Sequence, residues 1–360
     1  MKRAVLCVTN PEQYIDQLAD YSLMIVNPDA TPSRLNYLLG HSDYSLLITQ
    51  QGEQWRDGKD YPNERVLWYT SGTTGDSKFY SFTQQQLDHV SQTIINSYQL
   101  TSNDRYLSIM PLWHAHGQGM HWATKQIKCE TKFVKTSNLK NTIEFDPTFI
   151  SAIPDFLKLL INQDFKNLRF VRSASSALPT HLYMQLSQRL NVPIIEAFGM
   201  TESASHCFTN PLEGQQRIGT VGLPSGIEAK IDQGRLMIKG PGLAYTGWFD
   251  TGDLADQDEF GYYRILGRSQ DQINVRGIKI NPLSIETQLY NQFPQIQEVA
   301  VFGSKKLKCL VSGDVDLEKI LQYLLSLGSH CRPKILLNVD IIPKNNNGKI
   351  SRSDLDTQYP

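Results

Sequence analysis

The chain has 360 residues, enough to bury the cores of two or three compact units. Its 35 basic and 36 acidic residues give a formal charge of −1 and are scattered along the sequence, which argues against the basic stripe of a nucleic-acid-binding protein. The five cysteines are far apart and form no CxxC pair, so a disulfide framework is not expected.

The first residues, MKRAVLCVTNPEQ, contain an apolar run too short for a signal peptide. No run of about 18 apolar residues follows anywhere in the chain, so no transmembrane helix is expected. We therefore predict a cytoplasmic protein with neither a membrane nor a nucleic acid as its partner.

Short apolar runs alternate with helix-like segments through the first two thirds of the chain. The predicted strands lie at residues 66–68, 106–109, 168–171 and 193–195, and the predicted helices include 83–100 and 180–190. Because such alternation is typical of buried parallel strands covered by helices, we predict an α/β fold with mainly parallel sheets.

The pattern changes at about residue 219. Glycines and short strand-like segments at 229–231 and 235–238 predict a β-rich subdomain. After residue 268 the pattern predicts a small α+β unit, with helices at 282–293 and 317–327 and strands at 298–302 and 335–339. The polar segment GRSQDQ is the predicted boundary between an N-terminal domain, residues 1–268, and a C-terminal domain, residues 269–360.

A loop rich in glycine and hydroxyl groups, TSGTTGDSK, follows the predicted strand at 66–68. Its backbone N–H groups, hydroxyls and lysine are the donors that phosphate-binding loops use. It differs from the GxxxxGK[ST] loop of P-loop NTPases because Ser77 and not a glycine precedes Lys78. Taken alone, the segment is also compatible with an ordinary surface turn.

Four more segments follow this loop, namely EAFGMTES, GWFDTGDL, GRSQDQINVRGIKINPLSIE and PKNNNGKISR. The five segments in this order resemble the core motifs of the adenylate-forming superfamily, which includes acyl- and aryl-CoA ligases, adenylation domains of peptide synthetases and luciferases. Residues 24–49 resemble an earlier motif, so the resemblance covers nearly the whole chain. It implies a large N-terminal domain that binds ATP and a carboxylate, and a small, mobile C-terminal lid.

The resemblance implies a nucleotide site. The loop over the β- and γ-phosphates would consist of Thr70, Ser71, Gly72, Thr73, Thr74, Gly75 and Lys78. Thr201 would bond the α-phosphate, and Glu202 would bind Mg²⁺, which prefers oxygen ligands. The other implied nucleotide contacts are Phe198 at adenine, Gly199, Met200, Asp253 at the ribose hydroxyls, Ile265 and Arg268.

The resemblance also implies a catalytic set and an acid pocket. Lys349 would bridge the carboxylate and the α-phosphate, and the catalytic set would be completed by Thr201, Glu202 and His114. The segments PLWHAHG and FVRSASSALP resemble the pocket borders, which implies a lining of Trp113, His114, Ser173, Ala174, Ser175 and Gly199. A metal site at His114, His116 and His121 is the competing interpretation, although no cysteine or acidic residue lies close by in the sequence.

The expected substrate class depends on whether the chain has the aspartate that binds the ammonium group in amino-acid-activating members of the superfamily. Asp146 in EFDPTFISAIP matches a strand–helix element and not the aspartate that pairs with an amino acid's ammonium group, so we expect an acyl or aryl acid without an α-amino group.

The segment VRGIK resembles the border of a pantetheine channel, which implies Gly277 and Lys279 at the channel and Gln270 at the hinge. The implied acceptor is CoA or the phosphopantetheine of a carrier protein, and CoA is favoured because we expect a free-standing protein without a fused carrier domain.

Three features depart from the family pattern. Fewer than 70 residues precede the phosphate loop, so the N-terminal domain is expected to be shortened at its start. The stretch before WFDTGD is abbreviated, and Gln270 replaces the usual Asp or Lys. The sequence therefore predicts a compact, Mg²⁺- and ATP-dependent acid–thiol ligase, and a non-catalytic nucleotide-binding relative that serves as a regulatory module or scaffold is the alternative.

Overall fold

The computed structural model describes residues 1–70, 77–134, 144–344 and 350–360. Within these ranges the strands are β1 (Lys2–Cys7), β2 (Tyr21–Ile25), β3 (Leu46–Thr49), β4 (Gly52–Trp55), β5 (Glu64–Tyr69), β6 (Phe79–Thr83), β7 (Arg105–Ser108), β8 (Glu130–Phe133), β9 (Phe149–Ala152), β10 (Phe170–Ser173), β11 (Ile194–Phe198), β12 (Phe208–Thr209), β13 (Leu223–Pro224), β14 (Glu228–Asp232), β15 (Arg235–Lys239), β16 (Phe249–Gln257), β17 (Tyr263–Arg268), β18 (Ile273–Val275), β19 (Ile278–Ile280), β20 (Ile296–Phe302), β21 (Lys308–Gly313) and β22 (Ile335–Asn338). The helices are α1 (Glu12–Ile15), α2 (Pro32–Ser42), α3 (Gln84–Tyr98), α4 (Ala115–Gln126), α5 (Pro154–Leu157), α6 (Thr180–Leu190), α7 (Pro282–Gln292), α8 (Leu317–Ser326) and α9 (Arg352–Gln358). Short 3₁₀ turns lie at Lys158–Leu160, Thr201–Ser203, Ser269–Asp271 and Ser329–Cys331.

Two mainly parallel sheets form the first part of the fold. One has the strand order β4-β3-β1-β2-β5-β6, in which only the edge strands β4 and β6 pair antiparallel to their neighbours. The other has the order β13-β12-β11-β10-β9-β7-β8 and is parallel from β11 to β8. The predicted α/β class with mainly parallel sheets is confirmed.

Alternate side chains of the seven-stranded sheet enter two separate cores, as the two-residue period of a strand requires. Tyr106, Phe149 and Phe170 face a core that also contains residues of α3, α4 and the six-stranded sheet. The adjacent residues, such as Ile150, face the core that contains α5 and α6. Both faces are therefore buried, and α3 and α4 lie between the two sheets.

Helix α3 shows why the local sequence specifies its element. The Thr83 hydroxyl accepts a hydrogen bond from the Gln86 backbone N–H at 3.2 Å, and the Gln86 side chain accepts one from the Thr83 N–H at 2.8 Å. This capping box satisfies two N–H groups that a helix start leaves unpaired. Buried residues then recur at helical spacing until Gln99, whose φ of 49° ends the helix.

The remainder of the chain forms the predicted β-rich and α+β units. Strands β14–β17 make a four-stranded antiparallel sheet, and β18 and β19 make a hairpin. Strands β20–β22 form a three-stranded sheet that shares its cores with residues of α7, α8 and α9. No hydrophobic cluster of the described residues crosses residue 268. The division into two domains there remains a prediction.

The first and last residues of the 3₁₀ turn Ser269–Asp271 bond to different parts of the chain. Ser269 accepts a hydrogen bond from Arg235 at 3.2 Å, whereas Asp271 pairs with Arg352 at 3.6 Å. Gln270 lies between them and is exposed. The two parts also meet through the Lys344 ion cluster, which consists of Asp155, Lys158, Glu298 and Lys344. In the described part of the chain, no helix has the length and apolar character needed to cross a membrane.

Candidate active site

The base of the predicted phosphate loop is closed by hydrogen bonds. The Thr70 N–H donates to the Lys78 carbonyl at 2.9 Å, and the Lys78 N–H donates to the Thr70 hydroxyl at 3.1 Å. Arg34 of α2 donates to the Ser77 hydroxyl, while the Lys78 side chain is exposed. The predicted loop residues Ser71, Gly72, Thr73, Thr74 and Gly75 lie outside the described residues, as does the predicted catalytic residue Lys349.

The predicted metal ligand Glu202 is held by a tyrosine of the strand that follows this loop. Tyr80 Oη donates to Glu202 Oε1 at 2.7 Å, which joins β6 to the 3₁₀ turn that starts at Thr201. Burial, and then the hydrogen bond to Glu202, raise the pKa of Tyr80 well above its usual range. Tyr80 therefore remains a donor at neutral pH. Thr201 and Glu202 are both half-buried.

The predicted ribose ligand Asp253 has one paired and one unpaired oxygen. Its Oδ1 lies 2.9 Å from Arg268 Nε, because Asp253 and Arg268 are opposite each other in the β16–β17 ladder. Its Oδ2 is buried and has no hydrogen-bond partner among the described residues. Burial, with a smaller contribution from the charge of Glu202, raises the pKa of Asp253 to about 6 against the opposing effect of Arg268.

A buried acceptor without a donor is costly, so this geometry suits a ligand that brings donors. Two adjacent ribose hydroxyls are such donors. Asp253, which the resemblance assigned to the ribose, therefore suits that ligand by its surroundings in the structure as well as by its motif.

The predicted adenine side of the site is apolar. Phe198, Met200 and Ile265 pack together against a core cluster that also contains Phe208 and Tyr263. Gly199 follows Phe198 where two backbones touch, since a Cβ there would lie 2.0 Å from the Ser205 carbonyl oxygen. A glycine is needed at this position for close approach.

The predicted acid pocket is bounded by the start of α4 and the turn after β10. His114 is the N-terminal cap residue of α4, and Trp113 packs against the adjoining core. Ser173 and Ala174 are buried at the end of β10, and Ser175 has a φ of 74°. His116 connects the two walls, because its Nδ1 lies 3.0 Å from Ser175 Oγ.

The alternative metal site is not formed by the three histidines. His116 contacts Ser151, Arg172 and Ser175, whereas His121 packs against the rings of Trp122 and Phe133. Residues five apart on a helix do not share a face. Burial lowers the pKa of His121 to about 4. Within residues 1–70, 77–134, 144–344 and 350–360, no group of three His, Cys, Asp or Glu residues is placed to hold a metal ion.

Comparison with known proteins identifies the family. Residues 62–246 match the sequence model of the AMP-binding enzyme family. This match spans more than half of the 360 residues. The chain belongs to the AMP-binding enzymes. The resemblance to adenylate-forming enzymes that the motifs indicated is thereby confirmed.

Two relatives of the chain are named as CoA ligases. The chain is 26% identical to sulfoacetate–CoA ligase of Cupriavidus necator, over 92% of this chain and 82% of that protein. It is 32% identical to 2-succinylbenzoate–CoA ligase of Lactococcus lactis, over 82% of this chain and 72% of that protein. Its fold matches that of ATP-bound MatB from Rhodopseudomonas palustris with a TM-score of 0.88 at 21% identity, over 99% of this chain and 88% of that one.

The predicted hinge and channel residues of this AMP-binding enzyme lie on its surface. Gly277 forms the tip of the β18–β19 hairpin, where φ is 54° at Arg276 and 89° at Gly277. A two-residue turn with two positive φ angles favours glycine. Lys279 in β19 is exposed, as is Gln270. Their roles remain predictions.

Three site-related residues were not identified from the sequence. Arg34 bonds the base of the phosphate loop, Tyr80 bonds Glu202, and Arg172 bonds His116 beside the acid pocket. Each contact joins residues at least 43 positions apart. Of these three residues, only Tyr80 could have been identified from the sequence. It lies just after the phosphate loop, in a strand whose alternate residues point inward.

Proposed function

We propose that this AMP-binding enzyme is an ATP-dependent acid–CoA ligase, which activates a carboxylic acid as an acyl-adenylate and passes the acyl group to the thiol of CoA. The observation that carries the proposal is the buried Asp253, whose Oδ2 has no hydrogen-bond partner among the described residues and lies in a site that also holds Glu202. A buried acceptor oxygen in the same site as a proposed metal ligand suits a ribose bound next to a charged triphosphate. The names of both relatives support the acid–CoA ligase activity.

In the first half-reaction a carboxylate oxygen attacks the α-phosphorus of ATP, and the bond to pyrophosphate breaks. Two anions must approach each other, so positioning and charge neutralisation provide most of the catalysis. In the proposal, Thr70 and Lys78 belong to the loop over the departing phosphates, with Arg34 supporting its base, and Thr201 bonds the α-phosphate. Lys349 bridges the carboxylate and the α-phosphate.

Magnesium is the proposed metal, and Glu202 would hold it. When bound, a divalent cation neutralises phosphate charge that would otherwise repel the incoming carboxylate. Glu202 offers a half-buried carboxylate with one oxygen fixed by Tyr80, which is the hard oxygen ligand that Mg²⁺ prefers.

In the second half-reaction the thiol sulfur attacks the acyl carbonyl and AMP leaves. We assign the thiol channel to the hairpin that carries Gly277 and Lys279, and the hinge to Gln270. The division into residues 1–268 and 269–360 is part of the same proposal, and the change of bonding partners on either side of Gln270 supports it. The phosphopantetheine of a carrier protein is the competing acceptor, and assays with CoA and with a carrier distinguish the two.

The test is acid-dependent exchange of radioactive pyrophosphate into ATP over a panel of aliphatic and aromatic acids. Exchange with at least one acid is expected, whereas ATP binding without any exchange would indicate a non-catalytic nucleotide-binding protein. Lys349→Ala should slow exchange by on the order of 3 kcal/mol, or about a hundredfold, since one preorganised charge is lost. Thiol transfer from a preformed acyl-adenylate should change much less, and Lys319→Ala, at a lysine that is 72% exposed, is the control.

A further inference from the structure

Arg172 is a cation in the interior of the N-terminal domain. It lies in β10, has no exposed surface, and is surrounded by residues of α3, α4 and β9. Arginine is rarely buried completely unless an anion pairs with it. No acidic residue of the described ranges pairs with Arg172.

Three of the five guanidinium N–H groups have partners. Nε donates to Tyr98 Oη at 2.9 Å, and Nη1 lies 2.9 Å from His116 Nε2 and 3.1 Å from Ser151 Oγ. Nη2 is buried and has no hydrogen-bond partner among the described residues. Since each Nη carries two hydrogens, two adjacent donors remain unused on Nη2.

The described partners of Arg172 are a tyrosine, a histidine and a serine. Thr209 uses its hydroxyl hydrogen on the Asn210 carbonyl, so Tyr98 donates its own hydrogen to Thr209 and accepts from Arg172. His116 Nε2 must accept from Arg172, which leaves the hydrogen on Nδ1 for Ser175 Oγ. None of these three described partners is an acidic residue that could balance the positive charge of Arg172.

A neighbouring histidine ring also responds to the charge of Arg172. His206 packs edge-on against Tyr98 with 6.0 Å between the ring centroids, and its Nδ1 is buried without a partner among the described residues. Burial, and then the charge of Arg172, lower the pKa of His206 well below its usual value. His206 is therefore neutral at neutral pH and does not compete with Arg172 for an anion. The positive charge of Arg172 favours a negatively charged group in this region.

The position of Arg172 links it to the acid pocket. It directly precedes Ser173 and Ala174, and it shares His116 with Ser175, so it contacts the wall that the incoming acid is proposed to meet. We propose that the free Nη2 donors of Arg172 bind a second carboxylate of the acid substrate, so that the enzyme prefers dicarboxylic acids to monocarboxylic acids. This inference rests on the proposed ligase function.

Two observations separate this site from a merely structural arginine. A structural arginine would use its donors within the fold, whereas no described residue accepts a hydrogen bond from Nη2 of Arg172. No described acidic residue pairs with Arg172 either. A carboxylate would also supply the counter-charge that the burial of a guanidinium requires. The carboxylate that reacts with ATP would remain free at the other end of the substrate.

The experiment compares matched acids in the pyrophosphate exchange assay: malonate with propionate, succinate with butyrate, and glutarate with valerate. Within each pair a methyl group replaces the second carboxylate. In the wild type, the diacid should exceed its monoacid in kcat/KM by about a hundredfold in at least one pair, as expected for a buried charge-assisted contact. Arg172→Gln should abolish that preference by lowering diacid kcat/KM while monoacid kcat/KM stays within about threefold.

Tyr98→Phe is the matched control, because it removes a buried partner of Arg172 but leaves the guanidinium charge and Nη2 in place. It should retain the diacid preference. Melting temperatures without ATP give a second measurement, in which the diacid of the preferred pair should raise the melting temperature of the wild type and not that of Arg172→Gln.

Equal kcat/KM losses for both acids of the preferred pair in Arg172→Gln, or equal loss of preference in Tyr98→Phe, would show that Arg172 is only structural. Wild-type exchange with monocarboxylates alone would overturn the Arg172 site and leave the ligase function intact. Absence of exchange with every acid would overturn both.

Discussion

The Tyr80 hydroxyl donates to Glu202 Oε1 over 2.7 Å, although 122 residues separate the two in sequence. Tyr80 belongs to β6, which directly follows the phosphate loop, and Glu202 belongs to the turn proposed to hold Mg²⁺. One hydrogen bond therefore fixes a proposed metal ligand relative to the strand that carries the loop.

Tyr80→Phe should weaken the Mg²⁺ dependence of the reaction. A hydrogen bond to a charged group is worth about 1.5 kcal/mol or more, so the Mg²⁺ concentration at half-maximal exchange should rise by about tenfold. The measurement is pyrophosphate exchange against Mg²⁺ concentration at saturating ATP. Tyr262→Phe is the control, because that hydroxyl donates to the Gln215 carbonyl and does not contact Glu202. An unchanged Mg²⁺ titration in Tyr80→Phe would contradict the positioning role.

Elements with strong local signals were predictable from the sequence. The helix predicted at 180–190 agrees with α6, and the strand predicted at 235–238 lies within β15. Strands β1 and β2 were not predicted, because a short, continuous apolar run is compatible with either a strand or a buried helix. Their parallel pairing, which spans Lys2 to Ile25, is what decides the conformation.

Candidate site residues that lie in sequence motifs could be proposed from the sequence, whereas residues that reach the site only through tertiary contacts could not. Asp253 and Arg268 were both predicted as nucleotide ligands, and the structure pairs them across β16 and β17. Arg172 gave no signal, because one arginine in a strand-like segment would ordinarily be at the surface. Its burial results from α3 and α4 covering β10, which is a property of the whole fold.

The affinity for ATP should depend on pH through Asp253. Burial raises its pKa to about 6, and only the ionised carboxylate accepts from both ribose hydroxyls. ATP affinity should therefore be constant above about pH 7 and fall as the pH drops through 6. Calorimetric titration with ATP between pH 5 and pH 8 measures this.

Asp253→Asn should weaken ATP binding by about ten- to a hundredfold and remove that pH dependence, since the amide keeps the shape but not the charge. Asp256→Asn is the matched control, because Asp256 pairs with Arg264 on the same two strands but is 48% exposed. A pH profile that survives in Asp253→Asn would show that another group titrates.

Gly199→Ala should destabilise the fold at the nucleotide site. Its Cβ would lie 2.0 Å from the Ser205 carbonyl oxygen and 2.6 Å from the His206 nitrogen, and neither backbone atom can rotate away. The free energy of unfolding should decrease by about 1–3 kcal/mol, the usual cost of overpacking. Chemical denaturation measures it.

Gly40→Ala is the control for that substitution. Gly40 lies in α2 and a Cβ there meets no atom within 4 Å, so the variant should be stabilised by about 0.5–1 kcal/mol. If both variants changed stability by the same amount, close backbone approach would not be the reason for glycine at 199.

The Lys344 ion cluster should hold the part of the chain after residue 268 in one orientation. Lys344 contacts Asp155 and lies 2.5 Å from Glu298, and Lys158 lies 3.1 Å from Asp155 and 3.2 Å from Glu298. An open cleft of about 620 Å³ lies beside the cluster, and Lys158, Glu298 and Lys344 line it. Their side chains are 19–34% exposed, and each pair is worth at most about 1 kcal/mol.

Lys344→Met should broaden the range of orientations between the two parts of the chain. The five native cysteines are buried, so dyes can be attached selectively to cysteines introduced as Glu228→Cys and Lys319→Cys, and single-molecule energy transfer then reports the distance. The distribution should widen in Lys344→Met, and also in the wild-type background when NaCl rises from about 0.05 M to about 0.5 M, because salt screens partly exposed charges. Lys125→Met, which removes an ion pair with Asp16 inside the N-terminal part, should leave the distribution unchanged. A distribution that stays narrow in Lys344→Met at both salt concentrations would mean that apolar contacts, and not these charges, fix the orientation.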